Sequence, residues 1–178
     1  MSTELVNSTK DYLTHRDWGA SIAVTLNMKQ GKRYEDPEGK ISGSFYVPLD
    51  EYKINQNFRH FTNLLNRACF GNNWRRFNKR LNVSLSHENV SRKHLHVRIQ
   101  LPSKNPKTIG DLKEQEQLRF KLLSLVSACW VETDWAFGSR ISFYSDEGWS
   151  GYIAKPKSKE NYDLAFPWEL ISLPAKAS

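Results

Sequence analysis

Cysteine is scarce in this 178-residue chain: there are two, Cys69 and Cys129, far apart and in no Cys-x-x-Cys pair. That count speaks against a disulfide framework and against a structural zinc site. The two thiols are expected to be reduced core residues of a cytoplasmic protein. Long hydrophobic runs are missing too. No stretch of about 18 apolar residues exists, so no segment is expected to span a membrane. The opening MSTELVNSTKDYLTHRDW lacks the apolar core and small-residue cleavage site of a secretory signal. There is no Gly-x-x-x-x-Gly-Lys-Ser/Thr stretch and hence no phosphate-binding loop of the helicase kind. Internal repeats and low-complexity tracts are also lacking.

What is present is the composition of an ordinary folded domain, 39% hydrophobic and 25% charged, with a net charge of +7. A basic balance of this size suits a polyanionic partner, because each lysine or arginine on a phosphate releases counterions. Residues 1–18 read as a polar lead-in, 19–172 as one domain, and 173–178 as a polar tail.

Within the domain, Ala20 to Asn27 is β-branched and apolar and predicts a buried strand. Met28 to Asp50, punctuated by Gly31, Pro37, Gly39, Gly43 and Pro48, predicts a long loop with room for a short strand at Ser44 to Val47. Phe58, Phe61, Leu64, Leu65 and Ala68 recur at helical spacing between Tyr52 and Phe70, and Gly71 closes that helix. Leu81 to Leu85 alternates as a strand, His87 to Lys93 is a polar turn, and His94 to Leu101 is a second strand stopped by Pro102. Lys104 to Gly110 predicts a loop. A helix from Leu112 to Trp130 carries Leu118, Leu122, Leu125, Val126 and Cys129 on one stripe. Ser139 to Tyr144 is the last core strand, Ser145 to Gly148 a turn, and Trp149 to Lys155 a short helix ended by Pro156. The expected class is therefore α+β: a ferredoxin-like or RRM-like antiparallel sheet in the order βαββαβ, helices on one face, the other face free for a ligand.

The chemistry concentrates at His94-Leu95-His96. Residues i and i+2 of a strand share a face, so both imidazoles project together while Leu95 enters the core. A divalent ion needs a further protein ligand, and the hairpin offers two. Either His87 or Glu88 can lie opposite His94, since a one-residue slip of register exchanges them. A carboxylate with two imidazoles suits Mg²⁺ or Mn²⁺, whereas three imidazoles lean toward Zn²⁺ or Mn²⁺. Asn72 to Arg80 interleaves Trp74, Arg75, Arg76 and Phe77, which suits a single-stranded DNA track or, equally, a charged loop whose aromatics plug the core. Arg92, Lys93 and Arg98 flank the histidines as candidate phosphate contacts. The tryptophans at 130, 135, 149 and 168 read as packing residues.

His94-Leu95-His96-Val97-Arg98-Ile99-Gln100-Leu101-Pro102, preceded by Ser86-His87-Glu88-Asn89, resembles the second motif of HUH-type rolling-circle replication initiators from bacteria, phages, plasmids and small circular DNA viruses. Ile22 to Asn27, with Thr25, resembles their first motif, which shapes the DNA-binding face. Gly148 to Lys155 matches the third, Tyr-x-x-Lys, at Tyr152 and Lys155. The three motifs run in family order across residues 20–155. The resemblance implies that Tyr152 attacks a phosphodiester, leaving a 5′-phosphotyrosine and a free 3′-hydroxyl, with Lys155 assisting. It implies a Mn²⁺ or Mg²⁺ cofactor held by His94 and His96, single-stranded DNA or an origin hairpin as substrate, and a host helicase and polymerase as partners. An acid on the preceding strand often completes such sites. Ser84, Leu85 and Ser86 supply none, and the third ligand stays open between His87 and Glu88. Rival readings are a transposase or relaxase of the same superfamily and a non-catalytic RRM-like nucleic-acid-binding module.

Overall fold

Strict alternation along β1 (Ser21–Met28) sorts its side chains onto two faces, and the fold is built on that division. The computed structural model describes residues 3–35, 44–89, 92–102, 109–144, 149, 153–155 and 165–173. β1 pairs antiparallel on one side with β5 (His94–Gln100) and on the other with β6 (Ala136–Tyr144). β5 pairs in turn with β4 (Val83–Glu88), giving a four-stranded antiparallel sheet in the order β4-β5-β1-β6. The chain is α+β.

On one face Ile22, Val24 and Leu26 of β1, Val83 and Leu85 of β4, and Leu95, Val97 and Ile99 of β5 form a single core. Two helices supply the other half. α2 (Glu51–Phe70) contributes Ile54, Phe58, Phe61 and Leu65, and α4 (Ile109–Val131) contributes Leu122, Val126 and Trp130. The Asp50 carboxylate caps α2 by accepting from the Lys53 amide at 2.8 Å, and Gly71 ends it with φ +57°, a conformation that favours glycine. The Trp130 indole donates to the Asn27 carbonyl at 3.2 Å, tying α4 to β1. Both cysteines are free. Burial pushes the Cys69 thiol up to about 11, so it is not a nucleophile at neutral pH.

Three expectations need correction. The polar lead-in is a helix, α1 (Thr3–Thr14), because Val6, Thr9 and Leu13 fall on one narrow stripe that packs inward. The second sheet face is consequently not free. Ala23 meets Leu13, Trp149, Ile153, Ala165 and Phe166 in a smaller core. Between Met28 and Asp50 the short strand expected at Ser44 to Val47 is present as β3 (Ser44–Pro48), but the stretch before it is not all loop, since β2 (Gly31–Glu35) pairs with β3 as an antiparallel ribbon. Gly31 and Pro48, read as breakers, face each other at its root and bound the ribbon rather than dissolve it. The expected 104–110 loop is described only at its end, where α4 begins. The 145–148 turn and the tail from Pro174 lie outside the described residues. Among the described residues, no helix is long and apolar enough to cross a membrane.

Candidate metal centre

Register decides which groups meet on the second face. β4 pairs with β5 as Glu88↔His94, Ser86↔His96 and Ser84↔Arg98. Directly opposed residues share a face, so Glu88 joins His94 and His96. His87 pairs with Leu95 and lies on the α2–α4 side, 2% exposed. The polar turn begins after Glu88, not at His87, and this shift settles the choice between them. As a metal ligand His87 is corrected: it sits on the wrong side of the sheet.

The His94 Nε2 lies 2.8 Å from the Glu88 Oε2, and the His96 Nε2 lies 3.1 Å from the same oxygen. All three ligand atoms fall within 4.8 Å of one another, a grouping that can hold a metal ion. The other ring nitrogens are engaged as well. His94 Nδ1 is 2.8 Å from the Arg92 carbonyl, and His96 Nδ1 is 3.0 Å from the Thr25 hydroxyl. A carbonyl only accepts, so His94 Nδ1 carries a proton and donates it. In the neutral ring, Nε2 then presents a lone pair to a carboxylate oxygen. Two acceptors at 2.8 Å repel unless a cation, either a proton or a metal, lies between them. With the side chains of Glu88 and His96 only 12% and 2% exposed, an uncompensated carboxylate here would be costly. The donor set therefore fits a divalent ion.

Trp149 covers the site from outside the sheet. Its ring meets His96 edge-on at a centroid distance of 5.5 Å, and His94 meets His96 edge-on at 4.8 Å. Of the three ligands His94 is the most open, its side chain 24% exposed, so the centre is approached from the His94 end of the sheet.

The remaining predicted residues divide. Thr25 is buried beneath His96, where its hydroxyl holds that ring. Trp74 is corrected as a stacking residue: it is buried on the short α3 (Asn73–Arg76), with Arg75 5.0 Å and Arg80 5.6 Å from its ring centroid. Arg76 lies 5.4 Å over the exposed Phe77. This segment leads into the start of β4, five residues and about 17 Å from Glu88. It is not beside the triad. Arg92 is exposed and packs 5.0 Å from the Phe137 ring. Lys93 is half-buried with its ammonium on the Leu49 carbonyl, and Arg98 donates to Ser21 Oγ at 2.9 Å while covering Trp18. Of the packing tryptophans, Trp130, Trp135 and Trp149 are buried, whereas Trp168 is half-exposed.

Lys155 is exposed, and Tyr152 lies outside the described residues. Its flanking residues Trp149 and Ile153 belong to the smaller core on the histidine face. The part played by Trp149 was missed; the only signal was its position just before Tyr-x-x-Lys. Compared with protein-family models, with curated proteins and with solved structures, the chain matches none.

Proposed function

We propose that this chain is a metal-dependent, single-tyrosine HUH-type endonuclease that nicks and rejoins single-stranded DNA, as a rolling-circle initiator does. One observation carries the reading: Glu88, His94 and His96 converge on a single point on the sheet face that also carries the neighbours of Tyr152. Taken in chain order, the sheet strands lie second, third, first, fourth, with α2 and α4 as the crossovers. That order supports a ferredoxin-like arrangement.

One carboxylate with two imidazoles favours Mn²⁺ or Mg²⁺. Glu88, His94 and His96, with ligand atoms within 4.8 Å of one another, would hold such an ion. A divalent ion held by these three residues supplies charge withdrawal from the scissile phosphate oxygens. The protein does the rest. Thr25 and the Arg92 carbonyl hold the two rings in place, and Trp149 keeps water from His96. Tyr152 directly precedes Ile153 in the sequence, and Ile153 packs on this face. Its phenolic oxygen forms a bond to phosphorus as the bond to the 3′-oxygen breaks. The phenol loses its proton and the departing oxygen gains one. The energy of the broken bond is kept in the 5′-phosphotyrosine, and attack by a 3′-hydroxyl reverses the step. Lys155, three residues on, supplies positive charge near the phenolate or the DNA backbone.

The test mixes purified protein, Mn²⁺ and end-labelled single-stranded oligonucleotides and looks for an adduct stable in SDS. Wild type forms the adduct, Tyr152→Phe forms none, and His96→Ala binds DNA without cutting it. An adduct that persists in Tyr152→Phe contradicts the assignment of the nucleophile. No adduct with any oligonucleotide contradicts the enzyme.

A further inference from the structure

The β2–β3 ribbon presents apolar rings that the fold does not use. Tyr34 and Phe45, paired across the strands, stack with planes 20° apart and centroids at 5.7 Å, yet remain 38% and 45% exposed. Tyr46, paired with Arg33, is 60% exposed. Its ring lies across Gly31, where an added Cβ would run into the phenol. A two-stranded ribbon is marginal by itself, and among the described residues this one is held at its root. Val47 packs on the main core, Leu49 N donates to the Gln30 carbonyl at 2.9 Å, and Lys32 pairs with Asp134 and lies 4.8 Å over Trp135.

The root is also joined to the metal centre. Gln30 accepts from the Lys93 amide at 2.7 Å and donates to the Lys93 carbonyl at 3.0 Å, so the ribbon is fastened to the residue preceding His94. Asn27↔His94 and Met28↔Ala136 put the start of the ribbon, the triad and the start of β6 at one end of the sheet. There Phe137, 45% exposed under the Arg92 guanidinium, adds a further ring. Two of these rings have a cation close by: Arg33 is paired with Tyr46, and Arg92 lies over Phe137.

We propose that the β2–β3 ribbon is a single-stranded DNA-binding arm around which the strand wraps, unpaired bases stacking against Tyr46 beside Arg33 on one face and against the Tyr34–Phe45 pair on the other, while the backbone runs past Arg92 toward His94. This rests on the reading of the triad as a DNA-cleaving centre. The arm is matched to unpaired bases because flat rings flanked by cations recognise a base face and the adjoining phosphate together. A paired duplex hides those base faces.

The experiment measures anisotropy of labelled oligo-dT, oligo-U and duplex DNA on the full chain in EDTA, where no cleavage occurs. Tyr46→Ala and Phe45→Ala each weaken oligo-dT binding about tenfold or more. Phe45→Leu, which keeps apolar bulk without a π face, weakens it nearly as much. Arg33→Ala lowers the salt slope by about 1. Thermal melting followed by circular dichroism stays at the wild-type value, since these side chains are exposed. Oligo-dT affinities within twofold of wild type for both alanine variants overturn the arm, as does duplex bound as tightly as oligo-dT. Full affinity in Phe45→Leu, or binding of oligo-U alone, also overturns it. The two proposals fail separately: ribbon-dependent binding without any adduct removes the nuclease and leaves the arm. Tyr152-dependent adducts with ribbon-independent binding do the reverse.

Discussion

The two ends of the sheet carry the same kinds of side chain and use them in opposite ways. Where β4 begins, Trp74 is sunk into the fold with Arg75 and Arg80 closing over it, and the neighbouring Phe77 alone stands exposed, under Arg76. Where β4 ends, Tyr34, Phe45, Tyr46 and Phe137 are exposed, Tyr46 paired with Arg33 and Phe137 under Arg92, and the root of the ribbon is fastened through Gln30 to the residue before His94. Cations interleaved with aromatics therefore say little by themselves. Burial separates a plug from a contact surface, and burial depends on what the chain packs against.

The contrast can be broken most forcefully at Trp74. Trp74→Ala should cost about 3–5 kcal/mol of stability, read from urea unfolding, with oligonucleotide affinity of the folded protein unchanged. A stable Trp74→Ala that no longer binds DNA would reverse the roles of the two ends. At the triad end, Thr25→Val removes the hydroxyl that holds His96 Nδ1 and should weaken Mn²⁺ binding about 10- to 100-fold, measured by calorimetry. Thr25→Ser, which restores the hydroxyl, should recover most of it. Asp50→Ala, which removes the cap of α2 near the root of the ribbon, should cost about 1 kcal/mol. The Lys53 side chain and amide hold the Asp50 carboxyl below its ordinary value. The sign follows. A lowered carboxylate stabilises the fold above its unfolded pKa and loses that contribution as pH falls through the folded value. The difference between Asp50→Ala and wild type should thus be full at pH 7 and shrink below about pH 4. Smallest of all, Tyr46→Ala should change stability by no more than about 0.5 kcal/mol.

Much of this was legible in the sequence, and the failures have specific causes. Period-two alternation at His94-Leu95-His96 put two imidazoles on one face because a strand leaves no other choice. The stripes of α2 and α4 were readable because each buries large apolar residues at helical spacing, Phe58, Phe61 and Leu65 in one and Leu122 and Val126 in the other. The third ligand was not readable. Register depends on where the turn starts, and β4 continues three residues further than its apolar alternation, through Ser86, His87 and Glu88. The helix α1 was hidden because a polar segment with a single narrow stripe resembles a lead-in until Leu13 finds Phe166 and Trp149. The β2 strand of the ribbon was hidden for a related reason. Its aromatic residue, Tyr34, faces water, so the strand lacked the inward pattern by which strands are recognised.

The central claim is that Glu88, and not His87, completes a cation site with His94 and His96. Calorimetric titration of Mn²⁺ into metal-stripped protein tests it most directly. The account predicts one site in wild type, loss of that site in Glu88→Ala, and its retention in His87→Leu. Retention in Glu88→Ala together with loss in a folded His87→Leu would contradict it.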